Sequence, residues 1–317
     1  MHGRARSWFD AHTHNYRDYP IDDLLAAKRR RATSVSVVIP ARNEAATIGP
    51  IVRAVRRELV EDCGVVDELV VIDSFSQDAT AEVARAEGAL VVDVREIVTE
   101  SEALTGKGEA LWRSLFVTRG DLLIFIDADL THWGTHFITG LLGPLLADEH
   151  VLLVKGFYDR MVDGVSIEAG HRPQGGRVTE LVARPLLAQM WPELSAVVQP
   201  LAGEWAVHRS LIGTLPVPIG YGIEFAVLVD TYLSAGLDAI AQVDLGARAH
   251  QHQSVHDLGV MAAEILAVAR RRADNVEPAE ASLAQYRRDG GLAWEERAVP
   301  VLERPPAVDV DAYWGSR

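Results

Sequence analysis

The residues Leu122-Leu123-Ile124-Phe125-Ile126-Asp127-Ala128-Asp129-Leu130 are the strongest structural signal in this chain. A short, uninterrupted apolar run is typical of a strand that is buried on both faces of a parallel sheet. Such sheets bind ligands beyond the carboxyl ends of their strands, which is where Asp127 and Asp129 stand. Two carboxylates one residue apart suit a hard cation such as Mg²⁺ or Mn²⁺, and a nucleotide diphosphate can complete its ligands. Taken alone, this run leaves two interpretations open, a metal site and a strand that ends in a polar turn.

Length and composition limit the class of protein. The 317 residues exceed a typical single domain, which favours one large α/β unit or a domain with an appendage. The single cysteine, Cys63, excludes an intrachain disulfide, so we expect a reducing, cytoplasmic location. No apolar run approaches the length of a transmembrane helix, and the first residues lack the apolar core of a signal peptide. We therefore expect no contact with a membrane.

The formal net charge of −14 restricts the ligands. A broad basic face for nucleic acid is not compatible with this charge, so nucleic-acid binding is not expected. A phosphate-bearing ligand would be repelled by the overall field, and a few cationic side chains must then be concentrated at its site. The candidate cations are Lys107, Lys155, Arg177 and Arg248.

Strands and helices alternate through the first half of the chain. The predicted strands are residues 35–39, 68–72, 89–94 and the run that ends at Asp127; the predicted helices between and after them are residues 45–59, 78–88, 110–118 and 137–146. The second half is predicted to hold strands at residues 151–155 and 239–245, a glycine-rich loop at 164–177, and helices at 178–190, 225–235 and 257–272. This pattern predicts a three-layer α/β/α sandwich with a mostly parallel central sheet.

Three familiar motifs are not supported. The first strand-to-helix turn, Pro40-Ala41-Arg42-Asn43-Glu44, lacks the Gly-x-Gly-x-x-Gly of a dinucleotide site. Gly106-Lys107-Gly108 has neither the spacing nor the trailing Ser or Thr of a P-loop. His12-Thr13-His14 is similar to the metal-binding pair of the amidohydrolases, but no apolar strand leads into it. We interpret these histidines as surface residues of an N-terminal arm.

Several segments, in this order, resemble known enzymes. The turn at residues 40–44, Asp73 after the second strand, and the Asp127–Asp129 pair resemble the nucleotide-sugar half of the GT-A glycosyltransferases. More specific segments, at residues 106–114, 175–187, 220–224 and 238–243, resemble the glucosyl-3-phosphoglycerate and mannosyl-3-phosphoglycerate synthases of actinobacteria. The resemblance covers about residues 20–270.

The resemblance implies a GT-A fold, and together with the polar composition of both ends it suggests a division of the chain. Residues 1–32 would form an N-terminal arm and helix, and residues 33–155 the nucleotide-sugar-binding half. Residues 156–273 would form the acceptor-binding half, and residues 274–317 a C-terminal extension.

The resemblance also implies roles for individual residues. The donor would be bound by Pro40, Ala41, Arg42, Glu44, Asp73, Ser74, Lys107, Ala128 and Tyr221. Mg²⁺ or Mn²⁺ would be held by Asp127, Asp129 and His250, and the acceptor and transferred sugar by Gly176, Arg177, Thr179, Tyr221, Glu224 and His252. The residues with the most direct part in catalysis would be Lys107, Asp127, Asp129 and Glu224. Each has a structural alternative; Glu44, for example, could be a first-turn acid that favours the helix dipole, and His250 a structural hydrogen-bonding residue.

The implied activity is transfer of a hexose from an NDP-sugar to the 2-hydroxyl of D-3-phosphoglycerate, with retention of configuration, by a homodimer. Phe75 stands where the mycobacterial glucosyl enzymes have Gly, and His252 and Gln253 also depart from their pattern. The departure at Phe75 favours GDP-mannose as donor, with GDP- or UDP-glucose as alternatives. Three further functions stay open at this point: a glycosyltransferase with a lipid or polysaccharide acceptor, a nucleotidyltransferase, and a non-catalytic nucleotide-sugar-binding module.

Overall fold

The structure is a computed structural model that describes residues 3–161, 176–249, 254–276, 281–288 and 291–315. The strands, in chain order, are β1 (Thr13–Asn15), β2 (Val35–Ala41), β3 (Glu68–Asp73), β4 (Leu90–Asp93), β5 (Leu122–Phe125), β6 (Leu153–Met161), β7 (Trp205–His208), β8 (Val217–Pro218), β9 (Ile240–Ala249), β10 (Ala281–Arg288), β11 (Leu292–Val299) and β12 (Glu303–Arg304). The α-helices are α1 (Gly3–His12), α2 (Ile21–Arg31), α3 (Ile48–Ala54), α4 (Thr80–Ala86), α5 (Lys107–Ser114), α6 (His136–Ala147), α7 (Arg184–Met190), α8 (Arg209–Ile212), α9 (Ile223–Ala235), α10 (Val255–Asp274) and α11 (Asp311–Gly315). Two π-helical segments, Val55–Asp62 and Thr179–Ala183, adjoin α3 and α7.

An eight-stranded sheet forms the centre, in the order β1-β9-β6-β7-β5-β2-β3-β4. All its pairings are parallel except those of β7, which runs antiparallel to β5 and β6. The sheet is mostly parallel, as the strand–helix alternation predicted. The strand β7 was not predicted, because its four residues follow a glycine-containing turn and show no alternation of their own.

The strand β5 is buried on both faces. Leu122 and Ile124 belong to the apolar core on one side of the sheet, and Leu123 and Phe125 to the core on the other side. These four side chains are completely, or almost completely, removed from water. The burial of each stabilises the folded state by about 1.5–3 kcal/mol. The expected sandwich, with helices covering both faces, is therefore present.

The N-terminal residues are more structured than the sequence suggested. The strand β1 lies at the edge of the central sheet and pairs in parallel with β9, opposite Gln242, Val243 and Asp244. Trp8 of α1 is buried, and its Nε1 donates to the main-chain oxygen of Ile240 at 2.9 Å. The prediction of surface histidines in a polar arm was therefore wrong for His14, which lies in β1 and is partly buried.

Other boundaries moved for local reasons. The helix predicted at residues 110–118 begins three residues earlier, at Lys107, after Gly106. The helix predicted at residues 45–59 begins at Ile48 and continues through Asp62 as a π-helical segment. The polar C-terminal extension contains an antiparallel hairpin of β10 and β11 and a short strand, β12. Part of the predicted glycine-rich loop, residues 164–175, lies outside the described residues.

Candidate active site

The carboxylates of Asp127 and Asp129 lie just beyond the end of β5. The strand stops at Phe125, so the two aspartates belong to the turn that follows and not to the strand itself. Gly203 fits closely against the first of them, since a Cβ atom on Gly203 would fall 2.2 Å from Oδ2 of Asp127. Only glycine allows such an approach without displacing the carboxylate. The acidic pair is thus held on one side by a second loop, residues 200–204.

Lys107 reaches the same point from α5. Its Nζ donates to Oδ1 of Asp127 at 2.6 Å and lies 2.7 Å from Oε1 of Glu224, at the start of α9. The start of α5 is locked against the turn before α9: a Cβ on Gly108 would fall 1.8 Å from the main-chain oxygen of Pro218. The glycines beside Lys107 therefore allow the chain to approach a neighbouring loop, which places the ammonium between two carboxylates.

Arg248, near the end of β9, is a second cation at the site. Its Nη2 donates to Asp127 at 2.9 Å and to Asp129 at 3.2 Å, and its Nη1 donates to Oε2 of Glu204 at 3.0 Å. The same Nη1 donates to the hydroxyl of Tyr158. The sequence suggested Arg248 as a phosphate-binding cation, whereas Glu204 was not among the predicted site residues. Their ion pair joins residues 44 positions apart and left no local signal.

Charge compensation sets the ionisation of this cluster. Burial alone would lower the pKa of Lys107, but the carboxylates of Asp127 and Glu224 outweigh it and raise that pKa well above its ordinary value. Burial would raise the pKa of Asp127, but Lys107 and Arg248 reverse this and hold it below its usual range. Lys107 is therefore a permanent cation here and is not suited to act as a base.

Six of the nine predicted donor-binding residues lie at or just after the ends of β2 and β3: Pro40, Ala41, Arg42, Glu44, Asp73 and Ser74. The main-chain N–H of Ser74 donates to the oxygen of Ala41 at 2.8 Å, which joins the two strand ends. Within the described part of the chain, Oδ1 of Asp73 is buried and has no hydrogen-bond partner. A buried carboxylate oxygen in this state favours a ligand group that donates to it. Pro40 is partly buried, and Arg42 is exposed beside this end of the sheet.

Glu44 and Phe75 flank this group. Burial raises the pKa of Glu44, and the charges of Asp129 and Asp127 raise it further against the hydrogen bond from Thr47. Glu44 is therefore close enough to Asp127 and Asp129 for their negative charges to affect its ionisation. Phe75 has a φ of 61°, which is unusual for a bulky side chain, and the guanidinium of Arg95 lies 5.6 Å from its ring centroid.

Glu224 and Tyr221 lie in and just after the turn that faces Lys107. Glu224 is 5% exposed, whereas Tyr221 is 44% exposed. A further acid, Glu264 of α10, accepts the main-chain N–H of Tyr221 through Oε2 and so fixes the turn. Glu264 was not predicted, because it contacts the turn from a helix more than forty residues later.

The predicted acceptor residues are only partly described. Arg177 is exposed, and Thr179 is 3% exposed at the start of the π-helical segment. Gly176 is partly buried. The histidines expected to bind metal and acceptor, His250 and His252, lie outside the described residues. The structure therefore leaves the acceptor assignment as a prediction.

Comparison with known proteins identifies the family. Residues 36–198 match the model of glycosyl transferase family 2. The chain is 44% identical to a glucosyl-3-phosphoglycerate synthase of Mycolicibacterium smegmatis over 300 residues, 94% of this chain and 96% of the relative. The chain belongs to the glucosyl-3-phosphoglycerate synthase family.

Solved structures of this family agree with the fold. A glucosyl-3-phosphoglycerate synthase from Mycobacterium tuberculosis in complex with Mn²⁺, UDP-glucose and phosphoglyceric acid matches with a TM-score of 0.81 and 42% identity, over 92% of this chain and 95% of that one. The same enzyme with Mg²⁺ and UDP matches with a TM-score of 0.84 and 42% identity, over 94% and 98%. The predicted GT-A type fold is confirmed, and the expectation of Mn²⁺ or Mg²⁺ is confirmed for the family.

The acidic pair fits such an ion. Asp127 and Asp129 offer oxygen ligands, and their side chains keep 22% and 29% exposure, so a ligand can reach them. Burial and the adjacent charge of Asp127 raise the pKa of Asp129, so a further positive charge between the two is favourable. Within the described residues no group of three His, Cys, Asp or Glu side chains is suited to hold a metal, and the predicted third ligand, His250, lies outside them.

Also among the described residues, no helix is both long and apolar enough to cross a membrane.

Proposed function

We propose that this protein transfers glucose from UDP-glucose to the 2-hydroxyl of D-3-phosphoglycerate, with retention of configuration. The observation that carries the proposal is the position of Lys107 between Asp127 and Glu224, 2.6 and 2.7 Å from their oxygens. It supplies a fixed cation beside an acidic pair, which is what the departure of a diphosphate requires. Family membership supplies the reaction class.

UDP-glucose replaces GDP-mannose as the expected donor. The departure at Phe75 favoured GDP-mannose, but the comparisons favour glucose and UDP. The similar M. tuberculosis enzyme was solved with UDP-glucose and phosphoglyceric acid, and the relative from M. smegmatis carries the glucosyl name. Phe75 then acts within a uridine site instead of selecting guanosine.

The reaction exchanges one bond at the anomeric carbon. The bond from that carbon to the UDP oxygen breaks, the bond to the acceptor oxygen forms, and the acceptor proton goes to the departing phosphate. Mg²⁺ or Mn²⁺ at Asp127 and Asp129 would stabilise the charge of the diphosphate. Lys107, held protonated by its two carboxylate partners, contributes a second positive charge. Glu224 keeps the Lys107 ammonium in place and is not available as a free nucleophile.

The proposed acceptor carries a phosphate, so its site must provide positive charge. In a protein with a net charge of −14, a phosphorylated acceptor needs a focused anion site. Arg177 has a planar, permanently charged guanidinium at the start of a helical segment, and its fork matches phosphate oxygens. Gly176 and Thr179 would contribute main-chain and hydroxyl donors. Tyr221 and Glu224 would face the transferred sugar, and His252 would approach the acceptor.

A homodimer and a cytoplasmic location stay predictions. The hairpin of β10 and β11 exposes Tyr286, Leu292 and Trp294, each more than 60% accessible. Burial of these side chains against a second copy would be favourable. The measurement is the molar mass in solution, by light scattering, with twice the chain mass as the expected result.

The function is tested by incubating the protein and Mn²⁺ with 3-phosphoglycerate and, in separate reactions, UDP-glucose, GDP-glucose and GDP-mannose. The expected result is fastest product formation with UDP-glucose, and an α-linked product by NMR. Lys107→Met should lose most of this activity, whereas Lys28→Met should keep it, because Lys28 binds Asp67 and the main-chain oxygen of Gly64 and contacts neither Asp127 nor Glu224. Transfer with GDP-mannose alone, or no product from 3-phosphoglycerate with any of the three donors, would contradict the proposal.

A further inference from the structure

A short C-terminal segment contacts the active-site scaffold without touching the site itself. Residues 302–305, which we name the C-terminal strap, include the strand β12. The strap pairs antiparallel with β8, Glu303 opposite Pro218 and Arg304 opposite Val217, and the N–H of Ile219 donates to the oxygen of Leu302 at 3.1 Å. β8 leads directly into the turn that precedes Glu224. The strap therefore lies behind the turn that faces Lys107.

Arg304 extends from the strap into the helix that carries Lys107. Its Nε lies 2.7 Å from Oε2 of Glu109, and its Nη2 lies 2.8 Å from Oε1. Glu109 is completely buried, two residues after Lys107, and it also accepts from Nε of Arg113 at 2.7 Å. On the same helix, Nε1 of Trp112 donates to the oxygen of Pro305 at 2.8 Å. The strap thus fixes α5 by a bidentate ion pair and a separate hydrogen bond.

The neighbouring strap residue, Glu303, holds the other side. It lies 3.0 Å from Nη1 of Arg271 and also pairs with Arg272, both on α10. Arg272 in turn lies 2.8 Å from Asp230 on α9, the helix that begins next to Glu224. Two consecutive strap residues therefore tie together the helices that carry Lys107 and Glu224.

We infer that the C-terminal strap positions the Lys107–Glu224 pair, with Arg304 as its principal positioning residue. The inference rests on the proposed function only for its kinetic consequence, since the contacts exist independently of the reaction. The N–H of Glu109 donates to the oxygen of Ile219 at 2.9 Å, and that of Gly108 to Gly220 at 3.2 Å. These two hydrogen bonds join the start of α5 to the turn before α9, and the strap contacts both elements. A displacement of a charged group by about 1 Å can cost on the order of 10²-fold in rate.

The test compares four variants. Arg304→Met removes the fork but leaves Glu109 paired with Arg113, so no buried charge is left alone. The double variant Glu109→Gln/Arg304→Met keeps the net charge of this buried cluster unchanged. Arg113 then loses its carboxylate partner but keeps its hydrogen bonds to the main-chain oxygens of Val98, Ser101 and Glu102. Arg304→Lys keeps the charge and loses the bidentate geometry. Arg297→Met is the control, because Arg297 lies in the same C-terminal region and binds Asp257 and Gln285, neither of which belongs to the strap or to α5.

Two measurements separate positioning from support of the fold. The first is kcat per folded enzyme, measured well below the unfolding temperature, together with the KM for 3-phosphoglycerate. We expect kcat to fall about 10- to 100-fold in Arg304→Met and in the double variant. The fall should be smaller in Arg304→Lys, and the acceptor KM should stay within about twofold. A segment that only stabilises the fold would lower the unfolding temperature and leave kcat per folded enzyme unchanged, and that result would overturn the inference.

The second measurement needs no substrate. Hydrogen exchange of the main-chain amides of Gly108 and Glu109 should be at least about tenfold faster in Arg304→Met and in the double variant than in the wild type and in Arg297→Met. Unchanged protection of these amides would also overturn the inference. If the wild-type protein made no product from UDP-glucose, the proposed function would fail, but this exchange measurement would still test the strap.

Discussion

The Nζ atom of Lys107 lies 2.7 Å from Oε1 of Glu224, so the first residue of α5 and the second residue of α9 meet in one ion pair. The side chains keep only 16% and 6% exposure, so water screens the pair weakly. Because Asp127 binds the same ammonium, the cation is fixed beside the acidic turn before any ligand arrives. Such preorganisation avoids reorganisation during the reaction.

Asp129→Asn tests the acidic pair. The change keeps the shape of the side chain, and Arg248 retains Asp127 as a partner at 2.9 Å, so the fold should remain. Loss of a charged metal ligand should cost several kcal/mol of transition-state stabilisation, a rate loss of at least about 10³-fold. Steady-state kinetics with Mn²⁺ provide the measurement, with the exposed Asp148→Asn as control. Activity retained in Asp129→Asn would show that Asp129 is not a ligand of the catalytic metal.

Phe75→Gly tests the base pocket. At a φ of 61°, glycine relieves backbone strain, but Phe75 also packs against the apolar core, so the unfolding temperature should fall modestly while the protein stays folded. If Phe75 stacks on the base, its removal should weaken the binding free energy of the nucleotide by about 1–3 kcal/mol, by analogy with base–aromatic stacking on nucleic acids. The ratio of kcat/KM for UDP-glucose to that for GDP-glucose is the quantity to measure. An unchanged ratio in the folded variant would show that Phe75 does not help to choose the base.

Arg177→Ala tests the acceptor site. A charge-assisted hydrogen bond to phosphate is worth about 1.5–3 kcal/mol, so the KM for 3-phosphoglycerate should rise about 10- to 150-fold. The affinity for UDP with Mn²⁺, measured by titration calorimetry, should barely change, because the proposed donor site is at Asp127 and does not include Arg177. Arg57→Ala is a matched control, since Arg57 is exposed on the segment Val55–Asp62. Loss of UDP binding with an unchanged acceptor KM would mean that Arg177 serves the donor.

Glu264 gives the protein a defined pH dependence of stability. Burial raises the pKa of Glu264 to about 7, and the charge of Glu224 adds to this against the hydrogen bond from Tyr221. Between the unfolded value of 4.5 and about 7, the folded protein binds more protons than the unfolded chain. This contribution to the free energy of unfolding therefore falls as the pH rises through that window.

Glu264→Gln should remove this dependence. Relative to the wild type, the variant should gain about 1–3 kcal/mol of unfolding free energy between pH 5 and pH 8. Urea unfolding at four pH values measures it, with Glu61→Gln as the control, because Glu61 pairs with Arg56 at the surface. Parallel curves for wild type and Glu264→Gln would show that this carboxyl does not carry the effect.

Local signals in the sequence were enough for the sheet and for the acidic turn. The run Leu122–Phe125 and the pair Asp127 and Asp129 lie together in the chain, so their burial and their position at a strand end could be predicted. Gly106 and Gly108, which flank Lys107, permit a close approach to the turn at residues 218–220.

Contacts between distant parts of the chain could not be predicted. Arg248 meets Asp127 across 121 positions, and Arg304 meets Glu109 across 195. Neither pair has a periodicity that a sequence displays. The short strand β1 was missed for the same reason, since only its pairing with β9 makes it a strand. The choice of GDP-mannose from Phe75 gave too much weight to a single residue of a pocket that several segments build.

A competition between donors tests the central claim most directly. The protein would be incubated with Mn²⁺, 3-phosphoglycerate and equal concentrations of UDP-glucose uniformly labelled with ¹³C in the glucose and unlabelled GDP-mannose, and the product would be examined by mass spectrometry. Because the two hexoses have the same mass, the label alone reports which donor was used. The account predicts that nearly all the hexosyl-3-phosphoglycerate carries the label and that UDP is released in equal amount. Predominantly unlabelled product, or UDP release without a phosphoglycerate product, would contradict it.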